Sequence, residues 1–153
     1  MKYFVRDITQ FWKNYEPKIS DMEDIFGADA WNKDELREQV NASVNIIGAF
    51  DDDMNLVGYI STELKDRFEH YIWTFVVDPD VQGKGYGGIL LKHLMNTTSN
   101  RNLSLHVRKE NQSARALYEK AGFVVNGSDL NHYDDGGEAI IYRFDDYAGS
   151  GLK

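Results

Sequence analysis

The segment Val81–Gly88 (VQGKGYGG) has the composition of a binding loop, because four glycines fall within six residues between a strand-like run and a helix-like run. Glycine lets the backbone approach a ligand closely. The N-terminus of a helix directs unpaired N–H groups and the positive end of its dipole towards an anion, and Lys84 adds a full positive charge. The segment is therefore typical of a cradle for a pyrophosphate.

Two other interpretations of this loop stay open. One is a plain strand-to-helix turn, although such a turn needs fewer glycines. The other is a dinucleotide site, because Gly83, Gly85 and Gly88 satisfy the pattern G-x-G-x-x-G. That pattern expects a carboxylate at the end of the next strand, which here reads His106-Val107-Arg108. A Walker loop is excluded, since Lys84 is followed by glycine and not by Ser or Thr.

A second segment, Leu103–Phe123, combines a short strand with a helix that Asn111 caps and Gly122 ends. Asn111, Ala114 and Tyr118 stand at i, i+3 and i+7, and therefore on one face of this helix. By spacing alone, Tyr118 is also compatible with a core aromatic on an apolar stripe.

Together, the two segments resemble the acyl-CoA signature of the GNAT superfamily of acetyl-CoA-dependent N-acetyltransferases. Gln82-x-x-Gly85-x-Gly87 follows a strand ending in Val77-Asp78-Pro79, and the strand–Asn–helix–Tyr–Gly–Phe segment follows at the family's usual separation. The resemblance covers residues 44–144, and the first forty residues match weakly. It implies an α/β fold (α+β, mixed sheet) of the GNAT-like acyl-CoA N-acyltransferase type. Its sheet is mostly antiparallel with a V-shaped splay, and helices cover both faces.

The resemblance also implies that acetyl-CoA is the co-substrate and lies in the opening of the splay. The backbone of Phe75 and Val77 would pair with the pantetheine like an added half-strand, while the side chains remain free to pack in the core. Gln82 would stand beside the phosphates, Asn111 would hydrogen-bond the pantetheine arm, and the small Ala114 would leave room for it. Backbone amides of the loop would hold the pyrophosphate, namely those of Gly83, Lys84, Gly85, Tyr86, Gly87 and Gly88.

For catalysis, the resemblance assigns Tyr118 as the general acid. A phenol with a pKa near ~10 can hand a proton to a leaving thiolate, whose thiol has a pKa near ~8.5. His106 stands where relatives that acetylate protein N-termini carry a glutamate, and a histidine with a pKa near ~6.5 is a suitable base. Glu69, Glu63 and water remain alternatives, since Tyr71–Thr74 lacks the glutamate that other members use. A purely structural role for His106 is also open.

The implied reaction moves an acetyl group from acetyl-CoA to a primary amine by direct attack in a ternary complex. The amine would belong to a small cationic molecule or to a peptide or protein. The alternatives are a non-catalytic acyl-CoA-binding or sensing module of the same fold and a nicotinamide-dependent oxidoreductase. The candidate lining of the acceptor pocket is aromatic: Trp31, Trp73, Tyr71, His132 and Tyr133. Acidic side chains expected to flank it are Asp21, Glu23, Asp24, Asp129, Asp134, Asp135 and Glu138.

The elements that position these residues follow from the hydrophobic pattern, which predicts the order β, α, α, β, β, β, α, β, α, β, β. The first strand is expected at Tyr3–Val5, and two short helices follow within residues 11–41. A single domain over residues 1–146 and a short flexible tail over 147–153 are expected, since no linker or repeat interrupts the chain. The Asp51–Asp53 run is expected to be a solvated turn and not a calcium site, and no metal is predicted.

Composition limits the partners. The chain has 153 residues, of which 42% are hydrophobic, and it contains no cysteine. These values exclude a disordered chain, a disulfide framework and a thiolate metal site. The net charge of -8 disfavours nucleic acid as a partner and favours a cationic acceptor. Neither a membrane span nor a signal peptide is visible, so a cytoplasmic protein, monomeric or homodimeric, is expected.

Overall fold

The computed structural model describes residues 4–98 and 101–145. Its helices and strands follow the predicted order. Tyr3 and the predicted tail, residues 147–153, lie outside the described residues. The strands are β1 (Phe4–Asp7), β2 (Val44–Phe50), β3 (Leu56–Leu64), β4 (Glu69–Val77), β5 (Asn102–Arg108), β6 (Val124–Asp129) and β7 (Ala139–Asp145). The helices are α1 (Glu16–Glu23), α2 (Lys33–Ala42), α3 (Tyr86–Thr97) and α4 (Gln112–Ala121), with short 3-10 helices at Thr9–Tyr15, Asp24–Asp29 and Pro79–Val81.

The strands form one seven-stranded sheet in the order β1-β2-β3-β4-β5-β7-β6. All neighbouring pairs are antiparallel except β4 and β5, which run parallel. The ladder between β4 and β5 ends at the pair Ile72 and Leu105, while β4 stays paired with β3 as far as Val77. The C-terminal halves of β4 and β5 therefore diverge and leave the predicted V-shaped opening.

Helices cover both faces of the sheet, as two separate core clusters show. Side chains of α3 and α4 pack on one face, and side chains of α1 and α2 pack on the other. Strands β2 and β3 are buried almost throughout, because each of their faces contacts one of these layers. The first cluster includes Ile60, Ile72, Leu90, Leu91, Leu94, Tyr118 and Tyr142, and the second includes Ile19, Met22, Leu36, Ile46, Phe50 and Tyr59.

The connection between α1 and α2 is anchored where it leaves each helix. The Glu23 carboxylate, at the end of α1, accepts hydrogen bonds from the buried Tyr59 hydroxyl and from the backbone N–H of Trp31. Asn32 and Glu35 form a reciprocal capping box at the start of α2. Between these anchors, Gly27 adopts φ 57° and ψ −123°, a conformation that favours glycine. The segment Asp24–Asp29 is thereby fixed over the opening of the sheet.

In the described part of the chain, no helix combines the length and the apolar character that a membrane crossing requires.

Candidate active site

Two adjoining cavities occupy the opening between β4 and β5. The loop groove, of about 540 Å³, is lined by the glycine segment together with Phe75, Val77 and the start of α4. The aromatic cavity, of about 470 Å³, extends from Trp31 and Trp73 to the connection between β6 and β7. Residues common to both linings are Ile25, Phe26, Phe75, Asn111 and Ala114. A ligand lying in the loop groove would therefore reach the aromatic cavity.

The glycine segment exposes backbone to the loop groove. Gly83 and Gly85 have φ values of 84° and 92°, a left-handed conformation that side chains disfavour. A Cβ atom added at Gly83, Gly85 or Gly88 would meet no atom within 4 Å. Gly85 is also the N-cap of α3 and supplies no side-chain cap, so the first amides of the helix are free to bind an anion. Lys84 is exposed on this loop, and Tyr86 offers only its backbone because its side chain is buried in the core.

The free edge of β4 forms the other side of the groove. Among the strands that the structure describes, none pairs with this edge beyond Ile72. Phe75 and Val77 lie along this free part of β4. The side-chain amide of Gln82 donates to the Val77 carbonyl at 3.1 Å. In this structure, Gln82 thus holds the end of β4 to the loop.

Asn111 and Ala114 lie where α4 meets both cavities. The side-chain oxygen of Asn111 accepts from the Ala114 backbone N–H at 3.2 Å, which confirms the predicted cap. That bond and one from the Ser113 hydroxyl occupy the oxygen, so the amide NH₂ is the group that Asn111 has left for a ligand. Ala114 is half-buried and lines both cavities.

Tyr118 packs under the aromatic cavity and is only 5% exposed. Its ring meets Phe75 edge-on at 5.9 Å and also contacts Phe123 and Tyr142. Within residues 4–98 and 101–145, no hydrogen-bond partner is found for the Tyr118 hydroxyl. Burial raises the pKa of Tyr118 above its ordinary value, so the phenol keeps its proton at neutral pH and can act as a donor.

His106 reaches the same cavity from β5, paired with Tyr71 on β4. The Tyr71 hydroxyl lies 2.6 Å from His106 Nδ1, and His106 Nε2 faces the Asp129 carboxylate at 3.6 Å. Because a carboxylate only accepts, the favoured neutral tautomer of His106 has its proton on Nε2. Nδ1 then accepts from the phenol of Tyr71, whose pKa burial raises to about 12. Burial, followed by the proximity of His132, lowers the pKa of His106, so the ring is an uncharged acceptor at neutral pH.

The aromatic side chains predicted for the acceptor pocket meet in one continuous wall. Tyr71 contacts Trp73 edge-on, with ring centroids 4.8 Å apart, and the ring centroids of Trp73 and Trp31 are 6.0 Å apart. At the other end, His132 stacks on His106 and meets Tyr133 edge-on at 4.8 Å. All of these rings line the aromatic cavity.

An ion-pair cluster that sequence reasoning missed crosses the rim of this cavity. Arg108, at the end of β5, donates to both carboxylate oxygens of Asp29 at 2.6 and 2.9 Å and contacts Asp135 at 3.2 Å. Its guanidinium also lies 4.1 Å from the centre of the Tyr133 ring. The cluster joins the α1–α2 connection to the β6–β7 connection. Strand alternation places Arg108 on the same face as His106, which is the one signal that could have identified it.

The glutamates considered as alternative bases lie elsewhere. Glu63 accepts from Trp73 Nε1 at 2.9 Å and from Lys65 at 3.1 Å, and these bonds lower its pKa. Glu69 accepts from the Ser104 hydroxyl at 2.6 Å, at the paired end of β4 and β5. Neither glutamate is part of the cavity lining.

Comparisons with known proteins agree with this geometry. Residues 5–123 match the model of the Acetyltransferase (GNAT) family. The chain is 37% identical over 84 residues to a protein named 5-NmdU N-acetyltransferase from Pseudomonas phage PaMx11, covering 54% of this chain and 56% of that protein. It is 36% identical over 94 residues to N-alpha-acetyltransferase RimI from Mycobacterium tuberculosis, covering 59% of this chain and 60% of that protein.

These matches thus span less than two thirds of those two relatives. The crystal structure of the ribosomal-protein-S18-alanine N-acetyltransferase from Escherichia coli superposes with a TM-score of 0.82, covering 99% of both chains at 24% identity. That likeness confirms the predicted fold. Because the family model matches most of the chain, this protein belongs to the Acetyltransferase (GNAT) family.

Proposed function

We propose that this protein is an N-acetyltransferase that moves an acetyl group from acetyl-CoA to a primary amine in a ternary complex. One observation carries the proposal: Tyr118 and the Tyr71–His106 pair line one cavity, which adjoins the loop groove. Among the described residues, the Tyr118 hydroxyl has no hydrogen-bond partner. A proton donor and a proton acceptor are what aminolysis of a thioester requires. The names of the two relatives support the reaction class.

Acetyl-CoA would lie along the free edge of β4, with its pyrophosphate on the loop amides of Gly83–Gly88 and its pantetheine beside Phe75, Val77, Asn111 and Ala114. Positive φ values at Gly83 and Gly85 and the open space around them support this placement. The acetyl group would then lie where the two cavities join. Gln82 would contact the phosphates only after releasing Val77.

In the reaction, the neutral amine attacks the thioester carbonyl, so that a C–N bond forms and the C–S bond breaks. The amine proton passes through the Tyr71 hydroxyl to His106 Nδ1, and Tyr118 donates its proton to the departing thiolate sulfur. Transfer of the His106 proton to solvent and reprotonation of Tyr118 restore the enzyme. Tyr118 carries its proton at neutral pH and can donate it, and His106 can accept one because burial lowers its pKa and keeps the ring neutral.

The acceptor is proposed to be cationic, either a small amine or the N-terminal amine of a peptide. On the cavity wall, Arg108 is neutralised by Asp29 and Asp135, whereas Glu35 and Asp134 have no cation paired with them within the described residues. The lining therefore carries a net negative charge that attracts a cation. Its aromatic faces add cation–π attraction. The name of the mycobacterial relative favours a peptide N-terminus.

The test is CoA release from acetyl-CoA with a panel of polyamines, lysine peptides, free N-terminal peptides and neutral amines, read against Tyr118→Phe. Turnover that depends on the Tyr118 hydroxyl supports the enzyme. Binding of acetyl-CoA without turnover of any amine supports the non-catalytic module. A melting temperature raised by acetyl-CoA but not by NAD or NADP excludes the oxidoreductase.

A further inference from the structure

Two side chains beside His106 have no part in the proposed proton transfers. The ring of His132 stacks on that of His106, with centroids 4.1 Å apart and planes 11° from parallel. One oxygen of Asp129 lies 3.0 Å from His132 Nδ1 and 3.6 Å from His106 Nε2. A single carboxylate thus faces both imidazole rings.

A shared metal ion does not fit this arrangement, although the three ligand atoms lie within 4.8 Å of one another. An imidazole nitrogen directs its lone pair in the plane of the ring, and a Zn–N bond is about 2.0–2.1 Å long. Because the stacked planes are nearly parallel, no point at that distance lies in both of them. The cluster is better described as a carboxylate that hydrogen-bonds His132 and lies close enough to His106 for an electrostatic interaction.

We propose that Asp129 and His132 are positioning residues for His106: Asp129 fixes the tautomer that leaves Nδ1 to Tyr71, and His132 keeps the ring neutral until the substrate proton arrives. The inference rests on the proposed role of His106 as the base. The arrangement of Asp129, His106 and Tyr71 follows the logic of a carboxylate that orients a histidine towards a hydroxyl. The stacked His132 restricts rotation of the His106 ring.

Electrostatics supports the same division of roles. Two imidazolium rings at this separation repel, so a proton on His132 disfavours a proton on His106, whereas the carboxylate of Asp129 favours it. The pKa of His106 accordingly is lowered by burial and by His132 and raised by Asp129. Other ionisable groups around this ring are Tyr71 on β4, Arg108 on β5 with its partners Asp29 and Asp135, Tyr118 on α4, Glu35 on α2, and Tyr133 and Asp134 after β6.

The experiment is an NMR titration of the histidine ring resonances in the full chain. His132→Gln removes the repelling charge and should raise the pKa of His106, whereas Asp129→Asn removes the attracting charge and should lower it. Each shift should reach about one pH unit, since a charge at this distance typically shifts a pKa by roughly that amount. His132→Phe keeps a flat ring over His106 without the charge, so it should raise the pKa while retaining kcat better than His132→Gln.

Kinetics provides the second readout. The acid limb of kcat/KM should move to higher pH in His132→Gln and to lower pH in Asp129→Asn, while His93→Gln on α3 should leave it unchanged. In the wild type, coupling between the two rings predicts two inflections in the titration curve of the His106 resonance instead of one. Shifts of the same sign in the two variants, or a His106 pKa that neither variant moves, overturn the inference. A wild-type protein with no acetyltransferase activity overturns the proposed function instead. The NMR titration still decides whether His106 and His132 are electrostatically coupled.

Discussion

The loop groove and the aromatic cavity adjoin each other but are built in different ways. The glycine segment of the loop groove offers backbone, and its key positions, Gly83 and Gly85, lie two residues apart in the chain. The aromatic cavity offers side chains, and its rim is joined by a pair, Asp29 and Arg108, that is separated by 79 positions. A backbone site of this kind depends on local conformation. A side-chain site depends on how distant segments pack. Substitutions in the loop groove should therefore change the affinity for acetyl-CoA, whereas substitutions in the aromatic cavity should change kcat or the KM for the acceptor.

The largest effect is expected at Tyr118, which lines the aromatic cavity and contacts Phe75, a residue common to both cavities. Tyr118→Phe removes the hydroxyl alone and keeps the ring packed against Phe75. Loss of a general acid typically costs ~10²–10⁴-fold in rate, so kcat should fall by that factor while the Kd for acetyl-CoA stays the same. Single-turnover kinetics and calorimetric titration measure the two quantities. A decrease below about threefold would show that water or another group protonates the thiolate.

The next largest effect is expected in the loop groove. Gly85→Glu places a negative side chain where the pyrophosphate is proposed to bind, and like charges in contact cost several kcal/mol. The affinity for acetyl-CoA should fall by more than about 100-fold. Gly85→Ala is the matched control, because it meets the same left-handed backbone strain without the charge. If Gly85→Glu and Gly85→Ala both fold and lose acetyl-CoA affinity to the same extent, the pyrophosphate does not bind at this position.

A smaller effect, confined to the aromatic cavity, is expected at the rim. Asp29→Asn leaves Arg108 with one carboxylate partner, so the cavity gains positive charge and the two connections lose a bidentate link. The KM for a cationic acceptor should rise about tenfold, which corresponds to about 1.4 kcal/mol, with unchanged affinity for acetyl-CoA. Asp34→Asn changes the net charge equally on the exposed face of α2. If Asp34→Asn raises the KM for the acceptor as much as Asp29→Asn does, the change reflects the overall charge of the protein and not the ion pair at the rim.

The smallest effect is the dependence on ionic strength. Salt screens exposed charges over a Debye length of about 10 Å at 0.1 M, so kcat/KM for a cationic acceptor should fall a few-fold as salt rises. A neutral amine measured in parallel serves as the control. The electrostatic interpretation would be contradicted if the best acceptor had no positive charge beyond its reacting amine, or if kcat/KM did not change with salt concentration. Neither result would contradict the proposed acetyl transfer.

The predicted role of the acidic residues shows where sequence reasoning reaches its limit. Glu23 was expected to flank the acceptor side, yet it is 1% exposed and bonded to Tyr59, so it cannot contribute to the rim. Asp129 and Asp135 were expected there for their charge alone. The structure instead gives each a partner, His132 and Arg108 respectively. The sequence gives the number of charged side chains, but only the packing of the folded chain decides which of them are buried or paired.

By itself, the sequence determined the order of the elements, the helix caps at Asn111 and Gly122, and the glycine loop before α3. Each of these depends on the conformational preferences of neighbouring residues, which the chain carries locally. The tertiary structure alone decided that Tyr71 hydrogen-bonds His106, that His132 stacks on it, and that Asp29 holds Arg108. These contacts exist because the splay between β4 and β5 leaves a space over which the α1–α2 and β6–β7 connections pack. No local conformational preference encodes that packing.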